Sequence, residues 1–421
     1  MIKSIKIRDL FGRFDYAFET CIGGVTIITG PNGFGKSTIL KIIESIGRGN
    51  LYFFKSLDFK EITIEYDNNQ KTEIKKDVNN FTIDNINLQK LTDVDIVERI
   101  PWMRRMGDSY IDLRNDELFS ENDAYFHLLF DSDYVDKMNI KSPIFKELKV
   151  KIEQIRTWSG DVRIISDPWL IRQKKERRRD ETQVIDVISE LPSRLKAEIT
   201  RVSEEYSKVA NVLDGSYPKR LLSSKEGIHD YKEYQERLEE TNYRFAKLRS
   251  YNLVEMSIID EEQYNEYYSN ALKIYFDDFD EKYAVFQELI AKLDLFTRII
   301  NQRLNFKKIK ISRNSGFEII DSEQPNKVLK LSQLSSGEKQ EIVLFYDLIF
   351  DTKEELLLLI DEPEISLHIT WQKKFLDDLL EVAKLIKLQV IVATHSPQIV
   401  SNHLDIQIDL GELYAAQLHK W

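Results

Sequence analysis

Gly30-Pro31-Asn32-Gly33-Phe34-Gly35-Lys36-Ser37-Thr38 is the stretch that decides how this chain is read. Before it stands Val25–Thr29, a short apolar run rich in β-branched residues. After it, from about Ser37 to Ile46, apolar positions recur at helical spacing. A G-x-x-x-x-G-K-S pattern between a buried strand and a helix predicts a phosphate-binding loop. Its glycines let backbone N–H groups curl around phosphates, and the helix N-terminus adds partial positive charge. Asn32, Gly33, Gly35, Lys36, Ser37 and Thr38 are the expected contacts. Lys36 is expected to reach the β- and γ-phosphates, and Ser37 to ligate Mg²⁺, which makes ATP and Mg²⁺ the expected ligands.

Three later segments extend this reading. Leu356-Leu357-Leu358-Leu359-Ile360-Asp361-Glu362-Pro363 is an apolar run that ends in two acids. Carboxylates at the tip of a buried strand are costly unless they have a task. Asp361 suits a place in the Mg²⁺ shell, and Glu362 suits the base or orienting group for an attacking water. Leu334-Ser335-Ser336-Gly337-Glu338 opens a helix, so Ser335, Ser336 and Gly337 form a second candidate anion site. Ala393-Thr394-His395-Ser396-Pro397 follows the last apolar strand and places a lone histidine, His395, at its end.

The remainder organises itself around these motifs. Ile2–Ile7 and Phe14–Glu19 alternate like neighbouring strands, and Asn68-Asn69 marks a hairpin turn. Residues 1–80 and 305–421 are expected to form the two parts of one α/β head. Residues 81–182 form a mixed lobe, whose stretch 81–150 follows no clear period. Residues 183–304 form a helical insert. Within it, Leu272, Phe276, Phe279, Tyr283, Phe286, Ile290, Leu293 and Ile300 make a heptad seam, with a weaker one through Tyr231, Leu238 and Phe245. A projecting coiled coil and a packed helical subdomain both fit this pattern. Arg172 to Arg179 is the strongest basic run, and it suits a solvated face or partner surface better than a DNA site.

Composition narrows the classes. The 421 residues carry a net charge of −11, which argues against wholesale nucleic-acid binding. No apolar run is long enough to span a bilayer, so no membrane segment and a cytoplasmic location are expected. The single Cys21 excludes an internal disulfide and is expected to be a buried thiol. No Cys/His spacing suggests a zinc site.

The order of motifs resembles the ABC ATPase superfamily, in particular its SMC, RecF and OLD-like branch. The resemblance covers about 1–80 and 305–421. It implies an α/β ABC-type ATPase head, a P-loop sheet with an antiparallel lobe, carrying a long helical or coiled-coil insert. It implies ATP hydrolysis between head-to-head protomers, with Ser336 meeting the γ-phosphate of the opposite subunit and His395 acting as the switch histidine. Glu364-Ile365-Ser366-Leu367-His368 is similar to the loop that crosses the dimer interface, which adds Ser366. Arg13 matches an early arginine aimed at phosphates. Two positions depart from the commonest pattern: Ser336 stands where Gly is usual, and Glu338 where Gln is frequent. A glutamine loop is expected after Val162 to Ser166, yet the residues there place no Gln at the strand end. Asp167 or Gln173 are the substitutes. Leu213 to Leu222 and Val343 to Phe350 look like ATPases of the PARIS and Septu anti-phage systems. That likeness implies a homo-oligomeric sensor that holds a separate nuclease or toxin effector. The residues after His395 are too few for the Toprim nuclease domain of OLD-like relatives, so any nuclease activity is expected from a partner protein. A RecF-type ATPase that clamps DNA is the alternative.

Overall fold

The computed structural model describes residues 1–51, 53–77, 80–88, 103–107, 109–113, 117–120, 143–165, 187–224, 226–254, 264–352, 356–365, 367 and 369–419. The chain divides into two compact units, Met1–Asp167 with Lys353–Trp421, and Pro168–Thr352. The basic run 172–179 and the proposed glutamine-loop residues Asp167 and Gln173 lie outside the described residues.

The first unit is built on a five-stranded parallel sheet. Its order is Val162–Ile165, Leu357–Asp361, Gln389–Ala393, Val25–Thr29, Gln407–Asp409. The three inner strands are buried almost throughout, which is why they read as unbroken apolar runs and do not alternate. Register brings their ends together. Asp361 pairs with Ala393, and Ala393 pairs with Ile28. The residues that follow each strand therefore emerge along one edge, the carboxyl edge at which open α/β sheets hold ligands.

A six-stranded antiparallel sheet completes this unit. It orders Phe14–Glu19, Ile2–Leu10, Glu61–Tyr66, Lys71–Asp77, Asn80–Ile83 and Ile86–Asn87. Here burial alternates, as in Phe14–Glu19, because only one face meets the core. Helix Lys36–Arg48 buries Ile39, Leu40, Ile42, Ile43 and Ile46 in the core that this sheet shares with the parallel one. In the stretch 81–150, the short strands Met103–Met106, Ser109–Asp112 and Glu117–Ser120 form a separate antiparallel sheet, and Pro143–Ser159 is a helix. Cys21 differs from expectation. It is half-buried, because it stands at the exit of an edge strand, where its N–H bonds Thr26 Oγ1 at 2.8 Å.

One buried side chain ties the chain's ends together. Gln389 is wholly enclosed. Its Oε1 accepts from Ile2 N at 2.8 Å, and its Nε2 donates to Ile2 O at 2.7 Å and Thr20 Oγ1 at 3.2 Å. A buried amide used this fully joins the first strand to the third parallel strand across nearly the whole sequence.

In the second unit, helices Leu191–Ser223, Tyr231–Ser250 and Ser269–Asn301 precede a hairpin, Lys307–Ser312 with Gly316–Asp321, and then helix Ser336–Phe350. Most of the predicted seam is buried, with Leu272 and Tyr283 half-buried. It serves two partners. Phe286 meets Tyr206 of the first helix at 5.0 Å between ring centroids, and Phe279 meets Phe245 of the second at 4.4 Å. Three helices sharing one seam form a packed bundle, which explains aromatic knobs too large for a two-stranded zipper. In the weaker seam, Tyr234, Leu238, Phe245 and Leu248 are buried, whereas Tyr231 is exposed. The segment from Leu213 to Leu222 continues helically through Pro218.

Gln389→Ala is expected to orphan the Ile2 N–H and its neighbours at a cost of about 1–3 kcal/mol for each buried group left unpaired. Urea unfolding with an unchanged slope and a lower midpoint would register that loss. An unchanged midpoint would show that this amide does not hold the two ends together.

Candidate active site

The loop after the strand Val25–Thr29 has the backbone that a phosphate cradle needs. Gly33 and Gly35 adopt left-handed conformations, with φ of 83° and 87°. At Gly35 a side chain would be strained and would also meet Leu10 Cδ2 at 3.1 Å. Gly35 is the N-cap of the P-loop helix and brings no side chain to it. The first N–H groups of that helix, at Lys36, Ser37 and Thr38, therefore face ligand space. Lys36 is largely buried, and its Nζ donates to Gly30 O at 2.8 Å and Pro31 O at 3.3 Å. These carbonyls hold the ammonium over the loop. Asn32 is exposed and lines a cavity of about 560 Å³ together with Thr29, Gly30 and His395.

The helix Leu410–Leu418 backs the loop. A Cβ on Gly30 would lie 3.2 Å from Leu410 Cβ. Asp409 caps this helix through Gly411 N at 2.7 Å and Glu412 N at 3.2 Å, and its other oxygen accepts from Thr29 Oγ1 at 3.3 Å. Phe34 meets the Phe14 ring at a tilt and the Tyr414 ring edge-on, while its carbonyl accepts from Tyr16 Oη at 2.9 Å. Arg13 sits in the turn beside Gly35 that also holds Phe11. Its side chain is exposed and makes no ion pair or hydrogen bond among the described residues.

The acidic strand reaches the same place. Ser37 Oγ donates to Asp361 Oδ1 at 3.0 Å. Burial pushes the Asp361 carboxyl above its ordinary range. The bond from Ser37 opposes that shift, and neighbouring Glu362 adds to it. Two hard oxygens on adjoining elements, one on a partly desolvated carboxylate, fit a divalent cation that keeps several waters. Among the described residues no cluster of three or more His, Cys, Asp or Glu side chains forms a separate metal site.

Glu362 has φ of 47°, a left-handed backbone uncommon for a side chain of its type. Its N–H donates to Ala393 O at 2.9 Å, which fixes the bend. Its carboxylate lies 3.8 Å from His395 Nδ1. A second carboxylate is closer. Glu364 Oε1 is 3.1 Å from His395 Nδ1, and it accepts from His395 N at 2.9 Å and from Thr394 Oγ1 at 2.8 Å. Its side chain is only 7% exposed. Glu364 thus grips both ends of the histidine and leaves Nε2 as the ring nitrogen turned to other groups. The sequence assigned Glu364 only to a loop that crosses between subunits. The signal that it acts here was its spacing, two residues past Glu362 through a proline turn. Ser366 of that same loop lies outside the described residues.

In the second unit, Ser335 is the N-cap of helix Ser336–Phe350 and is engaged with Glu338 in a capping box. Ser336 is exposed, and with Gly337 it presents the open start of that helix.

Glu364→Gln is expected to lower kcat for ATP hydrolysis about 10–100-fold, the usual range for a group that orients another, with nucleotide affinity nearly unchanged. Steady-state hydrolysis beside a fluorescent-nucleotide titration separates the two effects. Turnover equal to the parent would remove Glu364 from this role.

The family model for the AAA ATPase domain matches residues 1–400. No curated protein matches the chain. Among solved structures, the chain is similar to an Smc head bound to the C-winged helix domain of ScpA, at 13% identity and TM-score 0.35, over 94% of this chain and 91% of that one. It is also similar to the Smc head domain with an extended coiled coil bound to the C-terminal domain of ScpA from Pyrococcus furiosus, at 14% identity and TM-score 0.32, over 95% and 90%. The recombination mediator protein RecF of the RecFOR pathway aligns at 15% identity and TM-score 0.32, over 98% and 96%. With a P-loop, an acidic strand and a histidine loop on one sheet edge, and a family model spanning nearly its whole length, the chain belongs to the AAA ATPase domain family and is an ATPase.

Proposed function

We propose that the protein binds Mg²⁺-ATP at the carboxyl edge of its parallel sheet and hydrolyses it when two protomers meet head to head. In this reading the closed dimer regulates a separate effector, a nuclease or toxin, in defence against phage. One observation carries the ATPase part: the Ser37–Asp361 hydrogen bond, with Glu362 on the next residue and His395 beside Glu362. In the proposed reaction Gly33, Gly35, Lys36 and Thr38 hold the phosphates, and Asn32 and Arg13 border them. Ser37 and Asp361 hold Mg²⁺, which supplies charge neutralisation on the phosphates. Glu362 accepts a proton from the attacking water or orients it, and His395, gripped by Glu364, contacts the γ-phosphate. The open helix start at Ser336 and Gly337 supplies N–H donors to the nucleotide of the other protomer, and Ser366 lies on the loop that crosses between them.

The charge pattern of the insert supports a partner-holding role over a DNA clamp. Among its described residues, many basic side chains pair with the insert's own acids. Arg220 pairs with Asp278, Arg237 with Asp277 and Asp280, Arg244 with Asp280 and Glu240, and Lys247 with Asp294. Cations neutralised in this way release few counterions on meeting a phosphate backbone.

Lys36→Ala is expected to abolish nucleotide binding. Glu362→Gln is expected to keep binding, lower hydrolysis by about 10²-fold or more, and trap the closed dimer. Light scattering of Glu362→Gln with ATP, with and without a short duplex, reads the assembly. An ATP-dependent dimer indifferent to DNA is the expected result, and Ser336→Arg should prevent it. A protein that remains monomeric with ATP would refute the head-to-head reading. Capture of the duplex would replace the effector-holding role with DNA clamping.

A further inference from the structure

The first residues of helix Ser336–Phe350 are not equivalent. Ser335 is consumed by its capping box. Its Oγ accepts from Glu338 N at 3.3 Å and donates to Glu338 Oε2 at 3.0 Å, and its N–H donates to the same oxygen at 2.8 Å. The arrangement stabilises the helix and brings a carboxylate to its start. For a helix left alone that carboxylate is favourable. For a helix start that must meet a phosphate it is opposed, because two anions at short range repel.

Lys307 answers the conflict. It is the first residue of the strand Lys307–Ser312, and its Nζ lies 2.9 Å from both oxygens of Glu338. The pair is sheltered, with the Lys307 side chain 23% and the Glu338 side chain 10% exposed, so solvent screens it only in part. Burial pushes the Glu338 carboxyl up, yet the bonds from Lys307 and Ser335 outweigh burial and hold it below its ordinary range. The carboxylate therefore stays ionised and needs a counter-charge.

We infer that Lys307 is a positioning residue for ATP-driven assembly: by neutralising Glu338 it makes the helix start at Ser336 and Gly337 able to accept the γ-phosphate of ATP carried by a second copy of this chain. The inference rests on the head-to-head reading above. It explains how a motif with an acid at its third helical position functions as an anion site. It also assigns a task to a lysine that no motif marks.

The test uses the full chain in the Glu362→Gln background, with ATP and light scattering. Lys307→Met is expected to weaken ATP-dependent dimerisation about tenfold or more, the order expected when an unneutralised carboxylate is left close to a phosphate. ATP affinity of the single protomer should not change. Adding Glu338→Gln, which removes the charge that Lys307 neutralises, should restore assembly to within about threefold of the parent. A merely structural lysine would not be rescued by that amide. Dimerisation of Lys307→Met equal to the parent overturns the inference. So does failure of Glu338→Gln to restore assembly in a protein that binds ATP and melts like the parent. Should Lys307→Met alone fold poorly, the double variant carries the test, since its capping amide needs no counter-ion. If the Glu362→Gln parent itself stays monomeric, the head-to-head reading has failed first.

Discussion

The hydrogen bond from Ser37 to Asp361 joins residues 324 positions apart, and the arrangement of the sheet's carboxyl edge depends on it. Ser37 stands in the first turn of a helix whose position is set by the loop before it. Asp361 stands at the last position of a strand whose neighbours are all buried. For the two to meet, the strands Val25–Thr29, Gln389–Ala393 and Leu357–Asp361 must lie in one sheet with their ends level, which their register provides. A one-residue slip of the strand Leu357–Asp361 would turn Asp361 toward the opposite face, and a slip of either neighbour would take the strand ends out of level. The apolar runs are thus more than core filler, because their burial fixes which residues stand at the tips.

Desolvation is the second constraint. Asp361 is half-buried beside Glu362, and its carboxyl is pushed above the ordinary range. Lys36, held by two carbonyls of its own loop, supplies part of the opposing charge. An acid and a cation thus face each other across the start of the loop, each lowering the cost of burying the other's charge. Glu362 adds a left-handed backbone, which is tolerated because its N–H is fastened to Ala393.

Much of this was legible in the residues. Motifs whose chemistry is local could be read directly. The phosphate loop needs glycines at fixed offsets, and a buried parallel strand needs an unbroken apolar run. Contacts between distant segments were less legible. The grip of Glu364 on His395 spans 31 positions and depends on how two loops fold over one sheet edge. The Lys307–Glu338 pair likewise follows from a strand set beside a helix start. The helical insert lay between these cases. Its seam was visible as a heptad repeat, but the number of helices that share the seam depends on packing, and Phe245, Tyr206 and Phe286 had to be seen together to settle it. Cys21 was misjudged because hydrophobicity alone does not reveal that a residue stands where a strand leaves its sheet.

The helix Leu410–Leu418 forms the rear wall of the phosphate loop through Leu410, Gly411 and the Tyr414 ring, and Asp409 fastens it to Thr29. Anything that orders the loop must order this wall, and anything that loosens the wall must loosen the loop. Thermodynamic linkage makes the relation reciprocal: whatever is gained in order at the front of the loop is shared by the helix behind it, so the two rise and fall in stability as one cooperative unit.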